Sequence, residues 1–341
     1  MRNSALVKVA CFVLLMVPLA VFPWVANYYE LPKIVLFRSA VLIALMFFGL
    51  ELIRSGKLKI PDALRTGVVR KILVGLLIVF VVLMATSIAP KLSFWGSYFR
   101  GQGIYMWLHY LLFFLLLTLG VQARKDWEKL EKWAFIGLFG AVVFGIIQYF
   151  FGNLMEISLG RAVSTFGQPD YFAYYIILLI FPLISSFARE RKFWKILLLI
   201  LSLMALLLTE SRGAFVGISV GVLSYMVLAG VILKRKKLLI SAMIVAATAG
   251  SLFFSHSGLL LTRSTETRLL TWKSSIEMIQ KKPLFGYGPE TFPIVFQGFA
   301  DPQILGLEKL SSIPDKAHNI LIELLSEGGV LFLAYFLLAF G

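Results

Sequence analysis

The sequence predicts an all-α polytopic membrane protein of about ten transmembrane helices. Three observations carry this: the apolar share of the chain, the grouping of apolar residues into long uncharged runs, and the one-sided placement of basic residues. Of 341 residues, 59% are hydrophobic and 15% charged, with a mean hydropathy of +0.87. That composition excludes a disordered chain, a disulfide scaffold and a water-soluble two-domain enzyme. Runs at 7–26, 34–53, 72–89, 104–121, 133–151, 171–187, 194–209, 213–233, 238–255 and 320–341 are each about as long as a span of ~20 residues requires.

Each element is justified in turn by its flanks. Arg2 and Lys8 precede the first run in the manner of a secretory leader, but no small-x-small cleavage site follows and nine more runs do, so an uncleaved first helix is expected. The loops after the even-numbered spans are basic: residues 54–71 carry six Lys/Arg, and 124–132, 189–195 and 234–237 carry four each. With Arg2 and Lys8, that side holds twenty of the thirty-three basic residues, which predicts a cytoplasmic amino terminus. The net charge of +15 therefore reads as topology, not as a nucleic-acid footprint. Cys11 is the single cysteine, so no intramolecular disulfide forms.

Three domains are expected: a membrane domain over 1–254 with nine spans, an extracytoplasmic loop module over 255–319, and a tenth span over 320–341. The tenth run reaches Gly341 without a basic flank, a pattern expected of a truncated chain. In the loop module, Leu269, Trp272, Ile276 and Ile279 recur at helical spacing within 266–280, predicting an amphipathic helix on the membrane surface. Lys281-Lys282-Pro283 ends it, and Gly286, Gly288, Pro289, Pro293, Pro302 and Pro314 impose turns beyond.

No P-loop, dinucleotide fingerprint, metal-spaced Cys/His set or G-x-S-x-G is present. A three-histidine metal site from His109, His256 and His318 lacks i, i+4 spacing, so no metal and no cofactor are expected, and His109 and His256 read as structural. Gly286-Tyr287-Gly288 alone reads as a turn. The polar residues that stand out gather on the outer face. Arg212 follows Ser211, an apt N-cap, where two spans meet with almost no loop; a helix amino terminus beside a guanidinium suits a phosphate. The bland alternative is Arg212 reaching water or pairing with Glu210. Arg268 lies early on the surface helix, either turned toward the bundle or solvated near Glu266. His318 precedes the tenth span and is the residue type suited to removing a proton near neutral pH. Arg161 and then Arg100 are lower-ranked phosphate ligands or interfacial anchors, and Pro169 and Asp170 suit the start of the sixth span.

These residues together resemble a family. Thr209-Glu210-Ser211-Arg212-Gly213-Ala214, Arg268 ahead of Thr271-Trp272, Pro283-Leu284-Phe285-Gly286-Tyr287-Gly288, and Ala317-His318-Asn319 followed by Leu324 and Gly328-Gly329 are similar to the core signature of the O-antigen ligase and polymerase family. Ser164-Thr165-Phe166-Gly167-Gln168-Pro169-Asp170 resembles that family's preceding loop, with aspartate at 170 where asparagine is expected. The resemblance implies a glycosyltransferase C type fold in the bacterial cytoplasmic (inner) membrane, with its active site facing the periplasm or exterior. It implies transfer of a glycan from a polyprenyl diphosphate carrier to a lipid or glycan acceptor hydroxyl, inverting and metal-independent. Arg212 and Arg268 would hold the donor diphosphate and His318 would activate the acceptor, with Arg161, Arg100, Asp170, Ser211 and Asn319 as further donor or glycan ligands. Membrane lipids are partners and nucleic acid is not. Polysaccharide polymerisation and protein O-glycosylation share the same donor and stay open, and ligation onto a lipopolysaccharide core needs an outer membrane. A transporter or flippase of lipid-linked anionic sugars is the alternative of another class, disfavoured because the polar residues gather at one face and no internal repeat is present. An inert scaffold leaves the outer Arg and His residues unexplained.

Overall fold

The computed structural model describes residues 4–56, 67–98, 100–152, 160–232, 234, 240–241, 263–307 and 314–340. Among the described residues every regular element is helical: α1 (Ser4–Leu19), α2 (Glu30–Ser55), α3 (Gly67–Thr86), α4 (Pro90–Trp95), α5 (Ile104–Gly120), α6 (Arg124–Phe151), α7 (Pro169–Arg189), α8 (Phe193–Leu208), α9 (Arg212–Ile232), α10 (Arg263–Lys281), α11 (Phe292–Phe296), α12 (Gln303–Leu307) and α13 (Ile320–Phe340). Glu30–Ser55, Arg124–Phe151, Pro169–Arg189 and Ile320–Leu338 are long and apolar enough to cross a membrane, and Ala5–Leu19, Ile104–Gly120, Phe193–Leu208 and Arg212–Leu228 are shorter apolar helices. This is a polytopic, all-helical membrane architecture. The ninth expected span, 238–255, lies outside the described residues except for 240–241.

Two helices depart from their apolar runs for local reasons. α1 stops at Leu19, seven residues short of the run's end, because Pro18 and Pro23 remove donors and residues 22–28 close a loop through Phe22 N–H to Tyr28 O (3.0 Å). α6 begins at Arg124, nine residues before its run, because its polar first turns support themselves: Asp126 Oδ2 accepts Ala123 N–H (3.2 Å) and Arg124 pairs with Glu128 (3.2 Å).

The chain forms two compact units, one of residues 1–57 and 115–254, the other of 58–114 and 255–341, so the division falls inside α5. In the first unit, α6 packs against α1, α7 and α8, and α7 against α9. Gly137, Ala141 and Gly145 place small residues at every fourth position of α6, and a Cβ on Gly145 would stand 2.7 Å from the Phe172 ring. This spacing lets membrane helices approach closely where no hydrophobic force drives them together. Leu138, Ala141, Val142, Phe172, Ala173 and Ile176 form the buried centre. Lys33 Nζ donates to Ala20 O (2.6 Å), Tyr29 O (3.2 Å) and Thr165 O (2.7 Å), so a cation covers the carboxyl end of α1. An apolar groove of about 700 Å³ runs between α1 and α2, lined by Phe12, Phe22, Pro32, Leu36 and Ile43 with Lys8 among them; none of the candidate site residues faces it.

In the second unit, α13 packs against α3 and α10. α13 is broken at Gly329, which has φ 63° and ψ −165°. The loop after α10 fills the break: Val330 N–H donates to Pro283 O (2.8 Å), Tyr287 N–H to Ser326 O (3.0 Å) and Gly288 N–H to Glu327 O (2.7 Å). A helix can unwind at membrane depth only where protein satisfies the freed backbone groups, and this loop supplies the partners. Cβ atoms on Gly286 and Gly329 would stand 2.6 Å and 2.3 Å from the opposing backbone. The Gly-x-Gly read as a turn thus also seats a broken helix.

The surface helix α10 meets the rest of the protein with its hydroxyl-bearing face. Leu269 and Ile276 are 51% and 50% exposed, and Trp272 and Ile279 are half-buried. The face packed inward is Thr267, Thr271, Ser274, Ser275 and Met278. Its hydroxyls are satisfied locally, Thr271 Oγ1 donating to Thr267 O (2.7 Å) and Ser275 Oγ to Thr271 O (2.7 Å).

Candidate functional site

In the first unit, a tight turn builds the outer end of α8 and α9. α8 ends at Leu208, Glu210 takes a left-handed φ of 49°, and α9 starts at Arg212. Ser211 caps α9 as its sequence position predicts: its carbonyl accepts Phe215 N–H (3.2 Å) and its Oγ faces Ala214 N–H (3.4 Å). The 160–170 loop closes over this turn, with Ala162 N–H donating to Leu208 O (2.8 Å) and Arg161 Nε to Thr209 O (2.7 Å).

α7 starts at Pro169 with Asp170 in its first turn. Asp170 Oδ1 accepts the Ser211 hydroxyl and lies 3.8 Å from the Arg161 guanidinium. Arg161, Asp170, Ser211 and Arg212 therefore meet at the amino ends of α7 and α9, with Arg212 exposed. Two helix amino termini and two guanidiniums favour an anion, with Asp170 partly offsetting their charge.

The second unit holds the remaining candidates. α10 starts three residues earlier than expected, so Arg268 lies in its second turn and is exposed. One turn on, Trp272 Nε1–H donates to Ala317 O (2.8 Å), while Ala317 N–H donates to Glu323 Oε2 (2.8 Å). Both polar groups of the buried Ala317 are thus gripped, and His318 follows with a left-handed φ of 51° and an exposed ring. Asn319 caps α13, its Oδ1 accepting Leu321 N–H (3.0 Å). Helical spacing puts Arg268 on the same side of α10 as Trp272, the side that holds Ala317, the residue before His318.

Arg100 pairs with Asp315 at the rim of a pocket of about 210 Å³, with Lys316, Glu290, Glu323 and Glu327 also lining it. The four acids were not among the expected site residues. The available signal was Glu323 and Glu327, one helical turn apart inside an apolar span, where an ionisable residue marks function by default. His109 is buried, its Nδ1 2.8 Å from Tyr105 O. His256 lies outside the described residues.

Residues 197–337 match the family model described as O-antigen ligase. The match takes in Ser211, Arg212, Arg268, His318 and Asn319; Arg100, Arg161 and Asp170 precede it. No curated protein and no solved structure matches the chain.

Proposed function

From the premise that the chain belongs to the O-antigen ligase family, as its match over 197–337 supports, we propose that it transfers a glycan from a polyprenyl diphosphate carrier to an acceptor hydroxyl at the outer face of the bacterial inner membrane. The observation that carries this reading is that Arg212, Arg268 and His318 all fall inside the matched segment and all are exposed. Arg212, at the amino end of α9, and Arg268, on α10, are assigned to the donor diphosphate. As the sugar–phosphate bond breaks, negative charge grows on the leaving oxygens. Guanidinium contacts that strengthen with that charge lower the barrier by several kcal/mol.

His318 is assigned as the base that takes the acceptor proton. Attack opposite the departing diphosphate inverts the anomeric carbon, and the chemistry calls for no nucleotide and no divalent ion. Arg161, Asp170 and Ser211 form the polar setting of Arg212, and Asn319 fixes the start of α13 behind His318.

The test is acceptor-dependent release of free polyprenyl diphosphate by the purified chain in nanodiscs, given a lipid-linked glycan and candidate acceptors. Release is expected to fall at least about a hundredfold in His318→Ala, with donor binding retained, and to fall with weakened donor binding in Arg212→Ala and Arg268→Ala. Donor binding lost in His318→Ala would remove the base assignment. Full release in both arginine variants would remove theirs.

A further inference from the structure

The acid-rich pocket of the second unit is not used by the transfer chemistry assigned above. Its floor is preorganised by backbone amides: Ser97 N–H donates to Glu290 Oε2 (3.1 Å), Glu290 N–H to Glu327 Oε1 (2.8 Å) and Ala317 N–H to Glu323 Oε2 (2.8 Å). Each of the three glutamates therefore has one oxygen anchored. Glu290 holds a left-handed φ of 62° to make these contacts, a cost characteristic of sites kept for function. Glu323 Oε1 is buried with no hydrogen-bond partner, on a residue only 9% exposed. A buried acceptor left unmade costs about 1–3 kcal/mol, and Glu323 and Glu327 bring two carboxyl groups to neighbouring turns of α13. A fold that maintains that cost has an unmet acceptor at the pocket floor.

Size and charge define what meets it. The volume of about 210 Å³ holds about seven waters at ~30 Å³ each, one pyranose-sized ring and not a drug-sized ligand. Asp315 and Glu290 already offset Arg100 and Lys316, and the buried Glu323 and Glu327 add no positive charge, so the pocket is not built for a phosphate and favours a neutral ligand rich in hydroxyl groups. Phe292 and Pro293 add an apolar wall, and Arg100 and Lys316 at the rim can donate to ligand oxygens. We propose that this pocket receives one neutral sugar residue of a carbohydrate acceptor, with Glu323 Oε1 accepting a hydrogen bond from one of its hydroxyls. The acceptor role rests on the transferase reading; the sugar site itself does not.

The experiment measures saturation-transfer NMR on the full chain in nanodiscs with methyl glucoside, methyl galactoside and methyl N-acetylglucosaminide, with inorganic phosphate as competitor. Binding of at least one glycoside is expected, undisturbed by phosphate and about tenfold weaker in Glu323→Gln and Glu327→Gln. Glu323→Gln keeps an acceptor for Ala317 N–H but turns the unpartnered oxygen into a donor. Lys316→Ala, at the half-buried rim, supplies the same readout should the glutamine variants unfold.

Absence of glycoside binding, displacement by phosphate, or binding unchanged in folded variants overturns the proposal. In the transfer assay, the glutamine variants are expected to raise the acceptor KM more than they lower kcat, with donor binding retained. Transfer with an unchanged acceptor KM would remove the pocket and leave the transferase reading standing. Glycoside binding that the variants weaken, in a chain that transfers to nothing, would keep the pocket and remove the transferase reading.

Discussion

The two units carry polar sites built on opposite plans. In the first, Asp170, Ser211 and Arg212 lie at the starts of helices, Asp170 meets Ser211 and the loop residue Arg161, and the helix amino ends supply positive potential. In the second, residues 97, 100, 290, 315, 316, 323 and 327 are drawn from distant parts of the chain, and backbone amides hold carboxylates in a pocket. One site is made of cations at helix ends and suits an anion. The other is made of tethered acids and suits hydroxyls. The transfer proposed above, with a charged leaving group and a neutral acceptor, would draw on both kinds.

The largest expected effect outside the assigned catalytic residues is on the second plan. Gly329→Val forces a side chain against the Leu284 backbone at a left-handed φ, and a loss of about 2–4 kcal/mol is expected in detergent unfolding. A stability equal to the parent chain would mean that the broken helix does not organise this unit.

Next, Trp272→Phe keeps a ring but removes the donor to Ala317 O. About 1 kcal/mol of stability is expected to go, with kcat reduced and donor binding kept, because Ala317, which positions His318, loses one of its two clamps. Unchanged kcat would show that Glu323 alone holds it.

Ser211→Ala tests the first plan. Loss of the α9 cap and of the hydroxyl to Asp170 is expected to cost about 1 kcal/mol, with weaker donor binding, and an effect on acceptor KM alone would blur the contrast between the sites.

The smallest effect is electrostatic and lies away from both sites. Hydrogen bonds from Lys195 and Lys192 hold the exposed Glu190 carboxyl down at about 2, from an ordinary 4.5. Its contribution is present above pH 4.5 and fades as the pH falls toward 2. Glu190→Gln is expected to flatten that acid limb slightly, and more weakly in high salt, with transfer untouched.

Much of the helix framework was legible because it is local. Pro169 starts α7, Ser211 caps α9, and Lys281 ends α10, each where a proline, a hydroxyl or a Lys-Lys-Pro announces it. Arg212 and His318 stood out by the same adjacency to helix starts. The acid pocket was not legible, because Ser97, Glu290 and Glu327 come together only when the loop after α10 threads the break in α13. Which face of α10 meets protein was not legible for a related reason. Where a helix lies beside lipid as well as protein, an apolar stripe does not say which of the two it meets, and here the hydroxyl-bearing face took the protein side.

What the sequence alone determined is the membrane class, the positions of most helices, and the family signature with its arginines and histidine. These depend on hydrophobic run length and on capping chemistry within a few residues. What only the tertiary structure decided is which carboxylates share a pocket, how Ala317 is gripped ahead of His318, and why Gly286 and Gly329 are glycines. Those are close approaches between segments far apart in the chain, and no local period or propensity encodes them.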